Sequence, residues 1–319
     1  MINPAQLVLL ACALSAAATY FLIGYLREHH IGQPIRKEGN QEHLKKQGTP
    51  TMGGLAFIPV ALILTLIVNG FHYASILLLI GTVGFGAIGF LDDYEKVRKA
   101  QNEGLTPRQK LILQAALAVV MVCIVYFADP STAVQRIPLF NWKWNLGFLW
   151  IPLLAFVVVG TVNAVNLTDG LDGLLTGVTI PVFLTIGLIS VTHVLSGTPV
   201  FQSAMIFAGA LAGYLFFNAN PASIMMGDTG SMAIGGAITA MMLSLNVSLF
   251  LVILGGVYVM EALSVIIQVA YFRKTGGKRI FLMSPIHHHF ELKGFAEQKV
   301  TAAFSLVSMI LCLITLSII

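Results

Sequence analysis

The chain has 319 residues, is 57% hydrophobic and only 10% charged, and carries a formal net charge of +4. Soluble domains carry about 25% charged residues, so this composition excludes a soluble enzyme and describes an integral membrane protein. No nucleic-acid partner is expected of it.

A bilayer crossing takes about 20 apolar residues, and ten such spans occur, near 5–26, 52–69, 73–91, 110–128, 148–167, 174–192, 200–217, 230–245, 248–272 and 299–318. The expected fold is an all-α integral membrane protein, with residues 1–319 as a single polytopic domain of about ten transmembrane helices. Residues 230–272 are almost continuously apolar and about twice as long as one crossing requires, so the chain must turn, near Asn246. The ninth span carries Gly255-Gly256 and Glu261, the pattern of a long, broken helix. Cys12, Cys123 and Cys312 fall in different spans and read as small apolar residues.

Charge orients the spans. The first, third and ninth loops hold sixteen of the eighteen Lys and Arg residues; the other two, Arg136 and Lys143, lie in the fourth. By the positive-inside rule the odd-numbered loops are cytoplasmic and both termini face outward. The same parity brings Asp92, Asp93, Asp169, Asp172, Asp228 and His287 to His289 to one face. The fifth and seventh loops contain no Lys or Arg, so their aspartates require a cation or a distant lysine, and oxygen-rich ligands of this kind suit a divalent metal.

In chain order, the first loop ends in Lys45-Lys46-Gln47-Gly48-Thr49-Pro50-Thr51-Met52-Gly53-Gly54, where glycines permit close backbone approach and lysines supply charge for a phosphate. The third span closes on Asp92-Asp93, two carboxylates at a membrane edge. That placement suits either a cation or proton site or a helix end with an Asp92–Lys96 i,i+4 pair. Thr106-Pro107 has the form of a helix start. Trp142 and Trp144 in the fourth loop read as interfacial anchors. Asn163, Asn166, Asp169 and Asp172 recur at every third position, winding polar groups along one side of a helix end. Asp228 stands between Gly227 and Gly230 as an N-cap or a metal ligand. The ninth loop holds Pro285-Ile286-His287-His288-His289-Phe290-Glu291; three consecutive histidines do not share one helical face, and phosphate or base contact by one or two of them is the expectation. Ile280 to Met283 beside them are apolar enough for the membrane interface.

Five stretches together are more specific than any one of them: Gly48-Thr-Pro-Thr-Met-Gly-Gly, Leu91-Asp-Asp-Tyr-Glu-Lys, Asn163-Ala-Val-Asn-Leu-Thr-Asp-Gly-Leu-Asp-Gly, Met226-Gly-Asp-Thr-Gly-Ser and Pro285-Ile-His-His-His-Phe-Glu. Over essentially the full chain the sequence resembles the phospho-N-acetylmuramoyl-pentapeptide transferase family, within the polyprenyl-phosphate N-acetylhexosamine-1-phosphate transferase superfamily. The resemblance implies a bacterial cytoplasmic-membrane enzyme of peptidoglycan synthesis, with its active site on the cytoplasmic face. Its implied partners are UDP-MurNAc-pentapeptide, undecaprenyl phosphate and the lipid bilayer, its cofactor is Mg2+, its products are lipid I and UMP, and a homodimer is its implied assembly.

By position, the resemblance implies Asp228 as the principal Mg2+ ligand. Asp92 and Asp93 become a metal-proximal catalytic pair, with Asp93 handling the acceptor phosphate's proton. Asn166, Asp169, Asp172, Gly227 and Gln268 fall at the uridine end, and His288 at the phosphates as a catalytic contact. Asn163, Asn218, His287 and His289 complete the substrate-binding set, and Lys46, Thr51, Lys96 and Lys110 match phosphate-handling positions. Two other readings stay open: a sibling transferase using UDP-GlcNAc, and a cation-coupled transporter, which predicts a midplane site instead. The expected mechanism is one-step, in-line attack by the lipid phosphate; its rival is a covalent phospho-aspartate at Asp92 or Asp93.

Overall fold

The computed structural model describes residues 3–29, 31–32, 48–99, 103–140, 142–193 and 198–319. Every expected span is helical: α1 (Pro4–Glu28), α2 (Gly54–Asn69), α3 (Tyr73–Lys99), α4 (Pro107–Ala128), α5 (Trp150–Thr168), α6 (Leu174–His193), α7 (Thr198–Asn218), α8 (Gly227–Ser244), a ninth span divided into α9 (Leu251–Leu254) and α10 (Gly256–Lys274), a short loop helix α11 (Ile286–Leu292), and α12 (Glu297–Ile318). Among the described residues, eight helices have the length and apolar composition to cross a bilayer, and the chain is a multi-pass membrane protein. Of the other two spans, α2 is 16 residues long, and α8 is buried on every side from Thr229 to Leu243.

Local chemistry sets the boundaries. Asn3 with Gln6, and Thr106 with Gln109, form capping boxes in front of a proline at the first helical position of α1 and α4. The expected turn falls at Asn246, whose φ of 56° is left-handed. The ninth span breaks at Gly255, as Gly255-Gly256 foretells.

The helices alternate in direction, and the loops sort accordingly. At one end Asn69 donates to the Pro199 carbonyl (3.1 Å), Gln135 to Asn246, and Arg136 to the Ile319 carbonyl. A small antiparallel hairpin lies there too, β1 (Val134–Arg136) against β2 (Lys143–Asn145), with Trp142 and Trp144 exposed. At the other end the Met225 N–H donates to the Pro50 carbonyl (2.7 Å), and Asp172 joins Asn220 and Glu297. The even-numbered loops thus meet at one end and the odd-numbered loops at the other.

The most extensive helix pairing is α3 against α8. Apolar helices in lipid gain little from hiding apolar surface, so close backbone approach over small residues drives their packing. A Cβ at Gly81 would stand 2.7 Å from the Gly236 carbonyl oxygen, one at Gly86 3.1 Å from the Ala233 methyl, and one at Gly89 would overlap the Asp228 carbonyl. This seam brings the end of α3 onto the start of α8. Gly89→Ala is expected to cost about 1–3 kcal/mol by overpacking. Thermal unfolding in detergent should show a lower Tm than wild type, while Gly24→Ala, with open space around its Cβ, leaves Tm unchanged.

Candidate active site

Eight N–H and C=O groups are left without helical partners at the two ends of every helix, and the first N–H groups of α8 find theirs on α3. Asp93 Oδ1 accepts from the Asp228 N–H (3.1 Å), and Asp93 Oδ2 accepts from the Thr229 N–H (2.8 Å) and hydroxyl (2.7 Å). Asp93 is 4% exposed. A negative charge at a helix N-terminus is also favoured by the helix dipole. Gly227, at φ +72°, makes the approach possible: a Cβ there would lie 2.6 Å from Asp93 Oδ2 and 3.1 Å from Thr51 Oγ1. Thr51 is buried beside it, held by the pairing of Gly53 and Gly54 N–H with the Met225 and Met226 carbonyls.

The contact leaves Asp228 facing Asp92, and carboxylate oxygens of Asp92, Asp93 and Asp228 lie within 4.8 Å of one another. Among the described residues, two lysines offset the three charges. Lys96 Nζ, one turn beyond the aspartate pair, is 2.6 Å from Asp92, 3.0 Å from Asp228 and 3.8 Å from Asp93. Lys110 Nζ, from the first turns of α4, is 2.6 Å from Asp228 and 3.8 Å from Asp92. The Asp92–Lys96 i,i+4 pair is present, but as one edge of this larger cluster. Asn166 Nδ2 donates to Asp228 Oδ1 (2.8 Å), and the Leu105 N–H donates to Asp92 Oδ1 (2.9 Å). Asp228 has the most accessible side chain of the three. The distant lysines expected for the seventh loop's Asp228 come from the third loop; the fifth loop's Asp172 is met instead by Asn220 and the Ala222 N–H.

Asp169 caps α5 and accepts from the Gly227 N–H; burial, then the nearby charges of Asp228 and Asp93, push its carboxyl up to about 8. His288 Nδ1 is 2.6 Å from Glu291 Oε2, and His289 Nδ1 accepts from the Leu282 N–H (3.0 Å). With Nδ1 as acceptor, the His289 proton sits on Nε2.

Other residues expected to touch substrate make hydrogen bonds or close polar contacts within the protein. Asp172, 2% exposed, accepts from Asn220 and the Ala222 N–H, both at 3.0 Å, pinning the seventh loop. Asn218 bonds Thr176 and the Ile224 carbonyl, and Asn163 pairs with Gln114 between α4 and α5. Gln268 takes the Ile280 and Phe281 N–H groups and donates to the Phe281 carbonyl, fixing the ninth loop to α10. The His287 imidazole has no exposed surface and faces Glu261. For each the physical reason is the same: a buried amide, carboxylate or imidazole needs an internal partner. Likewise Asp93, expected to handle a proton, has both oxygens occupied by α8. Lys46 lies outside the described residues. Thr229, Ser231, Asn220, Glu297 and Gln114 escaped the sequence reading; Thr229 and Ser231 were signalled only by lying inside the Gly-Asp-Thr-Gly-Ser stretch.

Asp93→Ala strips the acceptor from two backbone N–H groups and a hydroxyl, and unsatisfied buried donors cost about 1–3 kcal/mol each; its Tm in detergent is expected to fall below that of Asp228→Ala. Asp169 gives a pH test. Because its folded pKa is raised, the native state binds more protons between the ordinary carboxyl value and about 8, so its contribution to stability is lost as pH rises through that window. In EDTA, the Tm of Asp169→Asn is expected to decline less between pH 5 and pH 8.5 than that of wild type.

A family model described as glycosyl transferase family 4 matches residues 75–246, which include both sides of the carboxylate cluster. A phospho-N-acetylmuramoyl-pentapeptide-transferase signature matches residues 46–58, the segment that carries Thr51. Curated relatives align along the whole length. The phospho-N-acetylmuramoyl-pentapeptide-transferase of Bacillus thuringiensis (strain Al Hakam) is 45% identical over 316 residues, covering 95% of this chain and 94% of the relative. That of Bacillus mycoides (strain KBAB4) is 46% identical over 315 residues with the same coverage, and that of Bacillus cereus (strain AH187) is 45% identical over 316. With near-complete coverage at this identity, and the motif aspartates gathered into one cluster, the chain belongs to the phospho-N-acetylmuramoyl-pentapeptide-transferase family.

Proposed function

We propose that the protein transfers phospho-MurNAc-pentapeptide from UDP-MurNAc-pentapeptide to undecaprenyl phosphate, giving lipid I and UMP, at the cytoplasmic face of a bacterial inner membrane. The observation that carries the reading is the juxtaposition of Asp92, Asp228, Lys96 and Lys110 where the odd-numbered loops meet. It is an acid-and-base cluster able to hold a divalent cation and polyanionic substrates together. The concentration of Lys and Arg in loops at this end supports the cytoplasmic assignment. A site at the helix ends also favours a transferase over a transporter, whose site belongs near the midplane.

The donor set fits Mg2+, which takes hard oxygen ligands and uses few carboxylates: Asp228 is the principal ligand and Asp92 its neighbour, while Asp93 holds the α8 N-terminus in register. When bound, Mg2+ supplies charge neutralisation at the diphosphate oxygens. Lys96 and Lys110 screen the acceptor phosphate and the leaving UMP, with Thr51 beside the cluster. Asn166, Asp169, Gly227, His288 and His289 line the donor side, supported from within by Asn163, Asp172, Asn218, Gln268 and His287.

A phosphate monoester with a second pKa near 6 is already largely ionised at neutral pH. An acceptor phosphate oxygen therefore attacks the sugar-linked phosphorus in line without a strong base; the new P–O bond forms as the bond to UMP breaks, and UMP leaves with the electron pair. Asp93, with both oxygens engaged, is poorly placed as a nucleophile, which favours the one-step route.

The test is UMP release by the full-length protein in detergent with both substrates and Mg2+. Asp92→Asn and Asp228→Asn are expected to lose about 100-fold or more in kcat, and EDTA to abolish turnover until Mg2+ is restored. No UMP from wild type removes the transferase reading, and preferential turnover of UDP-GlcNAc moves it to the sibling reaction. A labelled phospho-sugar trapped on the protein without acceptor overturns the one-step route.

A further inference from the structure

A carboxylate well inside a spanning helix is costly, and Glu261 sits in the second turn of α10 with no exposed surface. Its Oε2 is 3.1 Å from Nδ1 of His287, which is equally buried. Neither side chain meets hydrogen-bond geometry with any partner among the described residues, so the 3.1 Å approach is a contact of charge and dipole that makes each the other's polar neighbour. On the far side of the ring lies Gly170, where a Cβ would overlap His287 Nε2. The pair therefore clamps three segments: α10, the start of α11, and the turn after α5 that carries Asp169 and Asp172.

The next residue along the chain is His288. Its ring packs on His287 with centroids 4.1 Å apart, and its Nδ1 contacts Glu291. The three histidines thus divide into one internal anchor, His287, and two partly exposed neighbours. Moving the anchor moves His288 relative to Asp169.

We propose that Glu261 is a positioning residue for the nucleotide donor: through His287 it docks α11 against Gly170 and sets His288 opposite the α5 turn. Neither Glu261 nor His287 touches substrate. The inference rests on the transferase reading above, and it predicts that donor and acceptor are affected unequally, because the clamp joins the donor-side segments and does not include Asp92, Lys96 or Lys110.

The test uses full-length protein in detergent, measuring KM and kcat for each substrate, UMP binding by calorimetry, and Tm. Misplacing a positioning group is costly: Glu261→Ala and Gly170→Ala are each expected to raise the donor KM and weaken UMP binding about tenfold or more, with the acceptor KM changed by less than about twofold. Glu261→Gln, which keeps an oxygen able to accept from the imidazole, is expected to recover most of the donor affinity. Equal changes in both KM values, a fall in Tm alone, or no rescue by Glu261→Gln relative to Glu261→Ala overturns the proposal. If Glu261→Ala does not accumulate, Gly170→Ala decides: a wild-type donor KM there overturns it. Failure of the transferase reading is distinct, since wild type would then release no UMP.

Discussion

The start of α8 rests on the Asp93 carboxylate, and the site follows from that contact. Helix starts present free N–H groups and a partial positive charge; Asp93 meets both with two oxygens buried at the end of α3. The contact forms because Gly81, Gly86 and Gly89 let α3 approach α8 closely, and because Gly227 leaves room for the carboxylate. Asp228, the residue after Gly227, is thereby set against Asp92. A single close helix pairing thus converts two distant stretches of sequence into one cluster.

That cluster has an electrostatic requirement of its own. Two like charges about 4 Å apart repel by about 4 kcal/mol at an effective dielectric of 20, and here three carboxylates share less than 5 Å. Lys96 and Lys110, one from each side of the third loop, meet it from two directions, and Asn166 takes the remaining Asp228 oxygen. Anionic phosphates entering such a site find lysines already oriented by carboxylates.

Around this centre, much of the polar inventory supports loops. Asp172 gathers the seventh loop and Glu297, Gln268 holds the ninth loop, and Glu261 with His287 locks α11 in place. The hydrocarbon core offers no hydrogen bonds, so irregular backbone at membrane depth survives only where protein groups or enclosed water satisfy it. An odd-loop site built from five separate connections needs many such internal ties. Their failure would disperse the chemistry without touching a catalytic group.

Apolar length marked the ten stretches that fold as helices, the turn at Asn246 and the break at Gly255, because those properties are local: such a stretch is a run of apolar residues, and glycine or a left-handed asparagine is a property of one position. Loop charge likewise foretold which acidic and histidine residues would lie at one end of the bundle, since alternation of direction is all that parity requires. What a linear reading lacks is direction around the helix axis and distance between chains. Asp92 and Asp93 are adjacent and chemically identical, yet one faces two lysines and the other a helix start. His287, His288 and His289 are likewise indistinguishable in order, yet one is sealed against Glu261. The residue types and the end of the bundle they occupy were determined by the sequence alone; which carboxylate faces the lysines, which holds the start of α8 and which histidine is buried were decided by tertiary packing, because burial and partner are set by neighbours that lie far away along the chain.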